Sequence, residues 1–154
     1  MRGKKITKRK ISPDVKYGNV NIEKFINKVM IGGKKSISRV IVYGALEEAA
    51  STLKIEPLDL FNKVIENTTP SVEVRSRRVG GANFQVPIPV SPDRQVTLAL
   101  RWIISAARDR KGMPMKERLG KEFVEAYNNA GGAVKKKTDI EKMAEANKAF
   151  SYLA

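Results

Sequence analysis

A chain of 154 residues with 30 Lys plus Arg against 16 Asp plus Glu has a formal net charge of +14 and a pI near 10.1, which implies a polyanionic partner or a strongly anionic surface. It has no cysteine and no histidine, so disulfides, thiolate zinc sites and the usual nucleophile–histidine arrangements are excluded. The length suits one domain with its own core, no run approaches the ~18 apolar residues of a membrane span, and the basic start leads only to isolated Ile6 and Ile11, so the chain reads as soluble and intracellular.

Met1 to Lys10, MRGKKITKRK, holds six basic residues and no acid and has too little apolar content to fold alone. A charged terminus is usually a solvated tail, but this density of positive charge favours an arm, residues 1–12, that orders on a partner. Ser12-Pro13-Asp14 and Gly18-Asn19 punctuate turns before the body begins. Residues 13–154 then read as one helical domain from which a β-ribbon, residues 71–90, projects.

From Asn21 the spacing Ile22, Phe25, Ile26, Val29, Met30 predicts an amphipathic helix, capped by Asn21 or Asn19 and ended by Gly32-Gly33. Lys34-Lys35-Ser36 has the look of a phosphate-cradling GK[ST] loop. It follows a helix rather than a strand, however, and Lys35 stands at the Ser/Thr position, so it is read as a basic interhelical loop. Ser36 or Ser38 is expected to cap a second helix running to Lys54, with Ile41, Tyr43, Leu46, Ala49, Ala50 and Leu53 inward. Its small residues Gly44, Ala45, Ala49 and Ala50 let a neighbouring helix come close. The adjacent Glu47 and Glu48 point in different directions and form no acid–base pair. Pro57 marks the first turn of a third helix with Leu60, Phe61, Val64 and Ile65 on its apolar face, and Thr68-Thr69-Pro70 stops it.

Pro70 to Arg94, PSVEVRSRRVGGANFQVPIPVSPDR, abandons the helical period for alternation around Gly80-Gly81, a hairpin signal. A three-residue loop, Gly80 to Ala82, sets Val72 opposite Val90, Val74 opposite Ile88, Ser76 opposite Val86 and Arg78 opposite Phe84. That register makes one face almost wholly apolar, whereas a two-residue loop scatters the apolar residues over both, so the longer loop is expected. Pro87 and Pro89 share a parity and lose no ladder bond. The other face then carries Glu73, Arg75, Arg77, Asn83 and Gln85, forked and amide side chains suited to nucleic acid.

Ser91-Pro92 caps a fourth helix, with Asp93 at its positive end and Val96, Ala99, Leu100, Ile103, Ala106 and Ala107 buried. Arg94, Arg101, Arg108, Arg110 and Lys111 form its basic side. Trp102 lies near the stripe and reads as core. A fifth helix, from Met115 to Asn129, turns Leu119, Phe123, Ala126 and Tyr127 inward and leaves Glu117, Lys121 and Glu125 as a solvated i, i+4 row. Gly131-Gly132 is a capping signal, and Thr138 with Glu141 has the form of a capping box for a last helix through Met143, Ala146, Asn147, Phe150 and Leu153. The preceding lysine run could equally form its first turns. No acid, base or metal set converges anywhere, so no enzyme, cofactor or metal site is expected.

EVRSRRVGGANFQVP, SPDR followed by LALRWIISAAR, AVKKKTDIEKMAEANKAF and, upstream, INKVMIGGKKS resemble the bacterial and organellar form of the small-subunit ribosomal protein seven family, over nearly the whole chain and in the same order. Within the ribbon Ser76 and Phe84 stand where relatives often carry alanine and tyrosine. The resemblance implies a mainly α fold, a single bundle of six helices with a β-hairpin inserted between the third and fourth. It implies a monomer in the ribosome, of cytoplasm or organelle, that is a primary binder of the 3′ major (head) domain of small-subunit rRNA and nucleates head assembly. Exit-site tRNA, the mRNA path and small-subunit ribosomal proteins nine and eleven would be neighbours, and no membrane is involved. Carried onto this chain, rRNA contact falls to Arg2, Lys4, Lys5, Lys8, Arg9, Lys10, Lys34, Lys35, Arg75, Arg77, Arg78, Arg94 and Arg101, and proximity to tRNA to Gly80, Gly81, Ala82, Asn83, Lys135, Lys136 and Lys137. The alternative from the residues themselves is an architectural DNA-binding protein, since basic ribbons with proline also enter minor grooves. A single ribbon, dispersed basic clusters and the lack of an obvious dimer face favour RNA.

Overall fold

The computed structural model describes residues 10–153. Asp14 fastens the start of the body. Its nearly buried carboxylate accepts from the Lys16, Tyr17 and Asn19 amides, each at 3.0 Å, and from the Tyr43 hydroxyl at 3.1 Å. Burial opposes its charge, but these donors together outweigh burial and hold the carboxyl below its ordinary value. The stabilisation is therefore complete above the unfolded pKa of about 4 and is lost as pH falls through the lower folded value. Asp14→Asn is expected to cost about 2 kcal/mol at neutral pH and to lose that difference as pH falls through the lowered folded pKa, as checked by urea unfolding at several pH values.

Asn19 caps α1 (Val20–Val29) with its side-chain oxygen, accepting from the Asn21 amide at 2.7 Å. The helix buries Ile22, Phe25, Ile26 and Val29, as the spacing predicts. The second helix, α2 (Lys35–Leu53), begins earlier than expected. Ser36 and Ser38 lie inside it, the cap position belongs to Lys34 with no side-chain bond, and Ser38 Oγ donates back to the Lys34 carbonyl at 3.2 Å. The Gly32-Gly33 turn is closed by the Lys34 amide on the Ile31 carbonyl at 3.2 Å and the Lys35 amide on the Gly33 carbonyl at 2.8 Å, so the helix starts at Lys35, ahead of both serines. Its inner stripe is Ser38, Val42, Ala45, Leu46, Ala49 and Ala50, while Ile41, Tyr43 and Leu53 are only half-buried. Glu47 and Glu48 are ion-paired, with Lys16 and Lys116.

Pro57 opens α3 (Pro57–Thr68), which buries the four apolar residues expected of it. After the ribbon come α4 (Pro92–Asp109), α5 (Met115–Tyr127), α6 (Gly131–Ala146) and a short 3-10 helix (Lys148–Leu153). Ser91 occupies the cap position of α4 but bonds through its carbonyl, not its hydroxyl: the Arg94 and Gln95 amides both donate to it at 2.9 Å. Leu98, Trp102 and Ile104 join Ala99, Leu100, Ile103 and Ala107 in the core, whereas Val96 and Ala106 are half-buried. Trp102 is 7% exposed and belongs to the core. On α5 a Cβ at Gly120 would stand 3.6 Å from the Ala45 carbonyl oxygen, the close α2–α5 approach that the small residues allow.

The capping box at Thr138 and Glu141 does not form. The last helix already runs from Gly131, so Lys135 to Lys137 lie in it and the Thr138 hydroxyl donates to the Val134 carbonyl at 3.1 Å. A backbone turn at Asn128–Ala130 and the seating of Gly132 against Ala106 override the local cap pattern. Nor does α6 extend to Leu153: it ends at Ala146, Met143 and Ala146 are exposed, and Phe150 and Leu153 belong to the 3-10 helix.

One apolar cluster draws on all six α-helices. At its centre Phe25, Phe61 and Phe123 meet with ring centroids 5.7 to 6.4 Å apart, joining α1, α3 and α5. The described residues are thus mainly helical, six α-helices with an antiparallel hairpin, β1 (Val72–Val79) and β2 (Ala82–Pro89), between the third and fourth.

The hairpin corrects the expected register. Its loop is two residues, Gly80 and Gly81, and the pairs are Val79–Ala82, Arg78–Asn83, Arg77–Phe84, Ser76–Gln85, Arg75–Val86, Val74–Pro87, Glu73–Ile88 and Val72–Pro89. Both glycines have positive φ, +57° and +91°, as a type I′ turn demands, and the twist of that turn matches the strands. No wholly apolar face exists. Arg75 and Arg77 share a face with Val86 and Phe84, and Arg78 shares the other with Asn83 and Gln85. A buried face normally selects register, but most of this ribbon is exposed, so the turn decides. The proline reading holds. The Val90 amide donates to the Ser71 carbonyl at 3.2 Å, which puts odd-numbered β1 residues at hydrogen-bonded sites and both prolines at the others.

Candidate nucleic-acid interface

The ribbon leaves the bundle beside the start of α4, and Glu73 ties the two together. This carboxylate is 8% exposed and accepts from Arg75 Nε at 2.7 Å and Arg94 Nε at 3.1 Å. Burial works against its ionisation, but the two guanidiniums prevail and hold it below the ordinary carboxylate range. One negative charge between two positive ones leaves the group cationic, and the Arg75 and Arg94 side chains remain 61% and 41% exposed. Glu73 thus aims both guanidiniums and neutralises only part of their charge.

From Arg94 the positive charge continues along the bundle. Arg94, Arg101 and Arg108 recur every seven residues on α4, about two helical turns. Opposite them Lys28 of α1 has its pKa lowered, first by burial and then by Arg101, Arg94 and Lys24. Lys28, Arg101 and Arg108 line one cavity of about 350 Å3 with Asp109 at its edge. A chain of six cations, Arg75, Arg94, Lys24, Lys28, Arg101 and Arg108, runs from the ribbon base to the end of α4 with Glu73 and Asp109 as the acids within it. Lys24 and Lys28 are absent from the sequence-based expectation. Two lysines at i, i+4 repel on a helix, and that unfavourable spacing was the available signal.

The other expected contacts fare differently. Arg2, Lys4, Lys5, Lys8 and Arg9 lie outside the described residues, and Lys10 is exposed. Lys34 is exposed at the α1–α2 turn. Lys35 is ion-paired with Glu23, a nearly buried carboxylate that Arg39 also approaches at 3.8 Å. Arg77 donates to the Leu153 carbonyl, and Phe84 opposite it packs on Phe150 with centroids 5.2 Å apart, so the 3-10 helix braces the ribbon. Arg78 is exposed beside Asn83 near the Gly80-Gly81-Ala82 tip. Lys135 and Lys136 are exposed on α6, whereas Lys137 Nζ donates to the Asn67 carbonyl at 3.0 Å and acts as a strut to α3. Arg110 departs from the expected basic side of α4: it is held by Glu122 and Glu125.

Fold and surface together define a helical, ribbon-bearing protein of the basic class, with arginine and lysine as the side chains it presents to an anionic partner's charge. The family model for ribosomal protein S7p/S5e matches residues 1–148. Among curated proteins, the small ribosomal subunit protein uS7 of Dictyoglomus turgidum is 56% identical over 147 residues, 96% of this chain and 94% of that protein. Those of Bartonella henselae and Thermotoga maritima are 54% and 52% identical, each over at least 97% of both chains. The chain belongs to the ribosomal protein S7p/S5e family, whose members are structural ribosomal proteins and not enzymes.

Proposed function

We propose that this chain is a constituent of the small ribosomal subunit that binds the 3′ major (head) domain of its rRNA, nucleates assembly of the head and, in bacteria, resides in the cytoplasmic ribosome. The observation that carries the RNA contact is the unbroken cationic strip from the ribbon base along α1 and α4. Burial first, and then the charges of Arg101, Arg94 and Lys24, disfavour the charged Lys28 in the free protein, and a phosphate seated between Lys28 and Arg101 offsets the repulsive part of that cost. Arg78 shares the ribbon face turned from the 3-10 helix with Asn83 and Gln85, and Arg75 and Arg94 stand at the ribbon's base, a spread over two elements that suits a folded junction better than the groove of a regular duplex. Residues 1–12 act as a basic arm that binds the RNA, and residues 13–154 as the domain that presents the strip. The tip Gly80 to Asn83 and the exposed Lys135 and Lys136 face the exit-site tRNA and mRNA path, with small-subunit ribosomal proteins nine and eleven as neighbours.

Competition between the head-domain rRNA fragment and duplex DNA at matched salt tests this reading. If about eight cations meet phosphates, log K falls against log salt with slope on the order of −6 to −7, and the rRNA fragment outcompetes DNA. Equal affinity for the two would favour an architectural DNA-binding role and overturn the proposal.

A further inference from the structure

A second feature lies at the far end of the strip. Between α1, α2, α4 and α5 opens a slot of about 370 Å3 whose walls are Val29, Ile31, Ile37, Ile41 and Met115. Ile31 and Ile37 are 72% and 53% exposed, an unusual display of branched aliphatic side chains on so charged a surface. The rim carries Lys34, Arg108 and Arg118, and no carboxylate lines the slot. The two arginines are held by backbone carbonyls, Arg108 Nη2 by Val29 at 3.4 Å and Arg118 Nε by Met113 at 2.6 Å. They are positioned without being neutralised, and the slot therefore suits a ligand with a flat or apolar body and an anionic attachment.

We propose that this slot takes the unstacked base of one single-stranded rRNA nucleotide, whose flanking phosphates sit on Lys34, Arg108 and Arg118. The proposal rests on the RNA-binding reading and extends it from backbone contact to insertion of a base. Arg108 lines both this slot and the cavity shared with Lys28 and Arg101, so a strand following the cationic strip reaches the slot without leaving the surface. Extruded bases are commonly held between apolar or aromatic walls, and the purely cationic rim matches a phosphate on either side of the base. An apolar protein segment would find no carboxylate among the lining side chains, which include Ser38 as the one hydroxyl, to pair with cations of its own.

Ile37→Asp provides the test. The side chain is exposed, and an acid in the first turn of α2 is favourable to the helix dipole, so folding is preserved. Val40→Asp is the control, adding the same charge to the same helix at a 72% exposed position outside the slot. The full chain is bound to the head-domain rRNA fragment and the RNA bases are probed with dimethyl sulfate and carbodiimide. The wild-type chain is expected to shield one unpaired nucleotide. Ile37→Asp should restore its reactivity and weaken binding about tenfold, with hydroxyl-radical protection of the backbone along the strip retained. Val40→Asp should stay within about twofold of wild type. Identical base reactivity and affinity for Ile37→Asp and wild type would overturn the proposal. So would unchanged RNA binding accompanied by failure of Ile37→Asp to enter subunit particles, which would assign the slot to a protein. A wild-type chain that does not bind the fragment would overturn the RNA-binding reading itself, a result visible before any variant is compared.

Discussion

Glu122→Ala is expected to lower the stability of the fold by about 3 kcal/mol, the largest loss from any single polar side chain described above. Glu122 is fully buried. One carboxylate oxygen accepts from Arg110 Nη2 at 2.7 Å and the other from the Ala133 amide at 2.9 Å. The single side chain thus joins the end of α4, the middle of α5 and the first turn of α6. Truncation leaves the buried Ala133 N–H without an acceptor and opens a void beneath Gly131 and Gly132, which stand against the carboxylate. Arg110 retains Glu125, which lies at 2.6 and 3.0 Å and does more than Glu122 to hold the guanidinium proton. Glu125 is nevertheless partly exposed, and water replaces much of what its loss removes, so Glu125→Ala should cost under about 1 kcal/mol. Urea unfolding of both variants separates the two cases. Equal losses would mean that the Glu122–Ala133 bond does not anchor α6.

The elements that were legible in the sequence are those whose apolar residues fall on one side of a helix. Phe25, Phe61 and Phe123 sit in clean 3.6-residue patterns, and all three meet at the centre. In α2 the pattern is blurred, because Ile37 and Val40 are apolar yet exposed while the true inner stripe mixes Val42 and Leu46 with the small residues Ser38, Ala45, Ala49 and Ala50. The small residues let α5 come close at Ala45, while Val42 and Leu46 fill the core on the same side. Glu122 was legible in principle: it lies three residues after Leu119 and four before Ala126, on the inward side, and Arg110 fifteen residues before Glu125 gives no local hint of the partner. The ribbon register failed for a different reason. Pattern selects register only where a face is buried, and here a pair of glycines free to adopt positive φ outweighs it. Of the site, the arginines of the ribbon and α4 were readable as basic runs. The part supplied by Lys24 and Lys28 required knowing that α1 packs beside α4, which is a tertiary fact.

Arg75→Ala, Arg77→Ala and Arg78→Ala combined are expected to weaken binding to the head-domain rRNA by about a hundredfold or more at ~0.1 M salt. Each phosphate neutralised contributes about 0.7 to 0.9 to the salt slope, so three lost contacts should make that slope shallower by about 2 to 3 and the deficit should shrink toward 1 M salt. The three side chains are not equivalent. Arg78 is exposed, Arg75 shares Glu73 with Arg94, and Arg77 must leave or share the Leu153 carbonyl to reach a phosphate. The order of single losses should therefore follow availability, with Arg78→Ala the most costly for binding and Arg77→Ala the least. Arg75→Ala has a second effect, since Glu73 then holds Arg94 alone and the local charge falls from net positive to neutral. The outer ribbon lies outside the apolar cluster, so thermal unfolding should move little and a binding defect cannot be ascribed to collapse of the bundle. Replacing all three with lysine separates charge from shape: the slope should return to near wild type, while affinity recovers only in part because the forked geometry is gone. If the triple alanine variant binds with unchanged affinity and unchanged slope, the ribbon makes no major RNA contact and the strip on α1 and α4 must carry the interaction by itself.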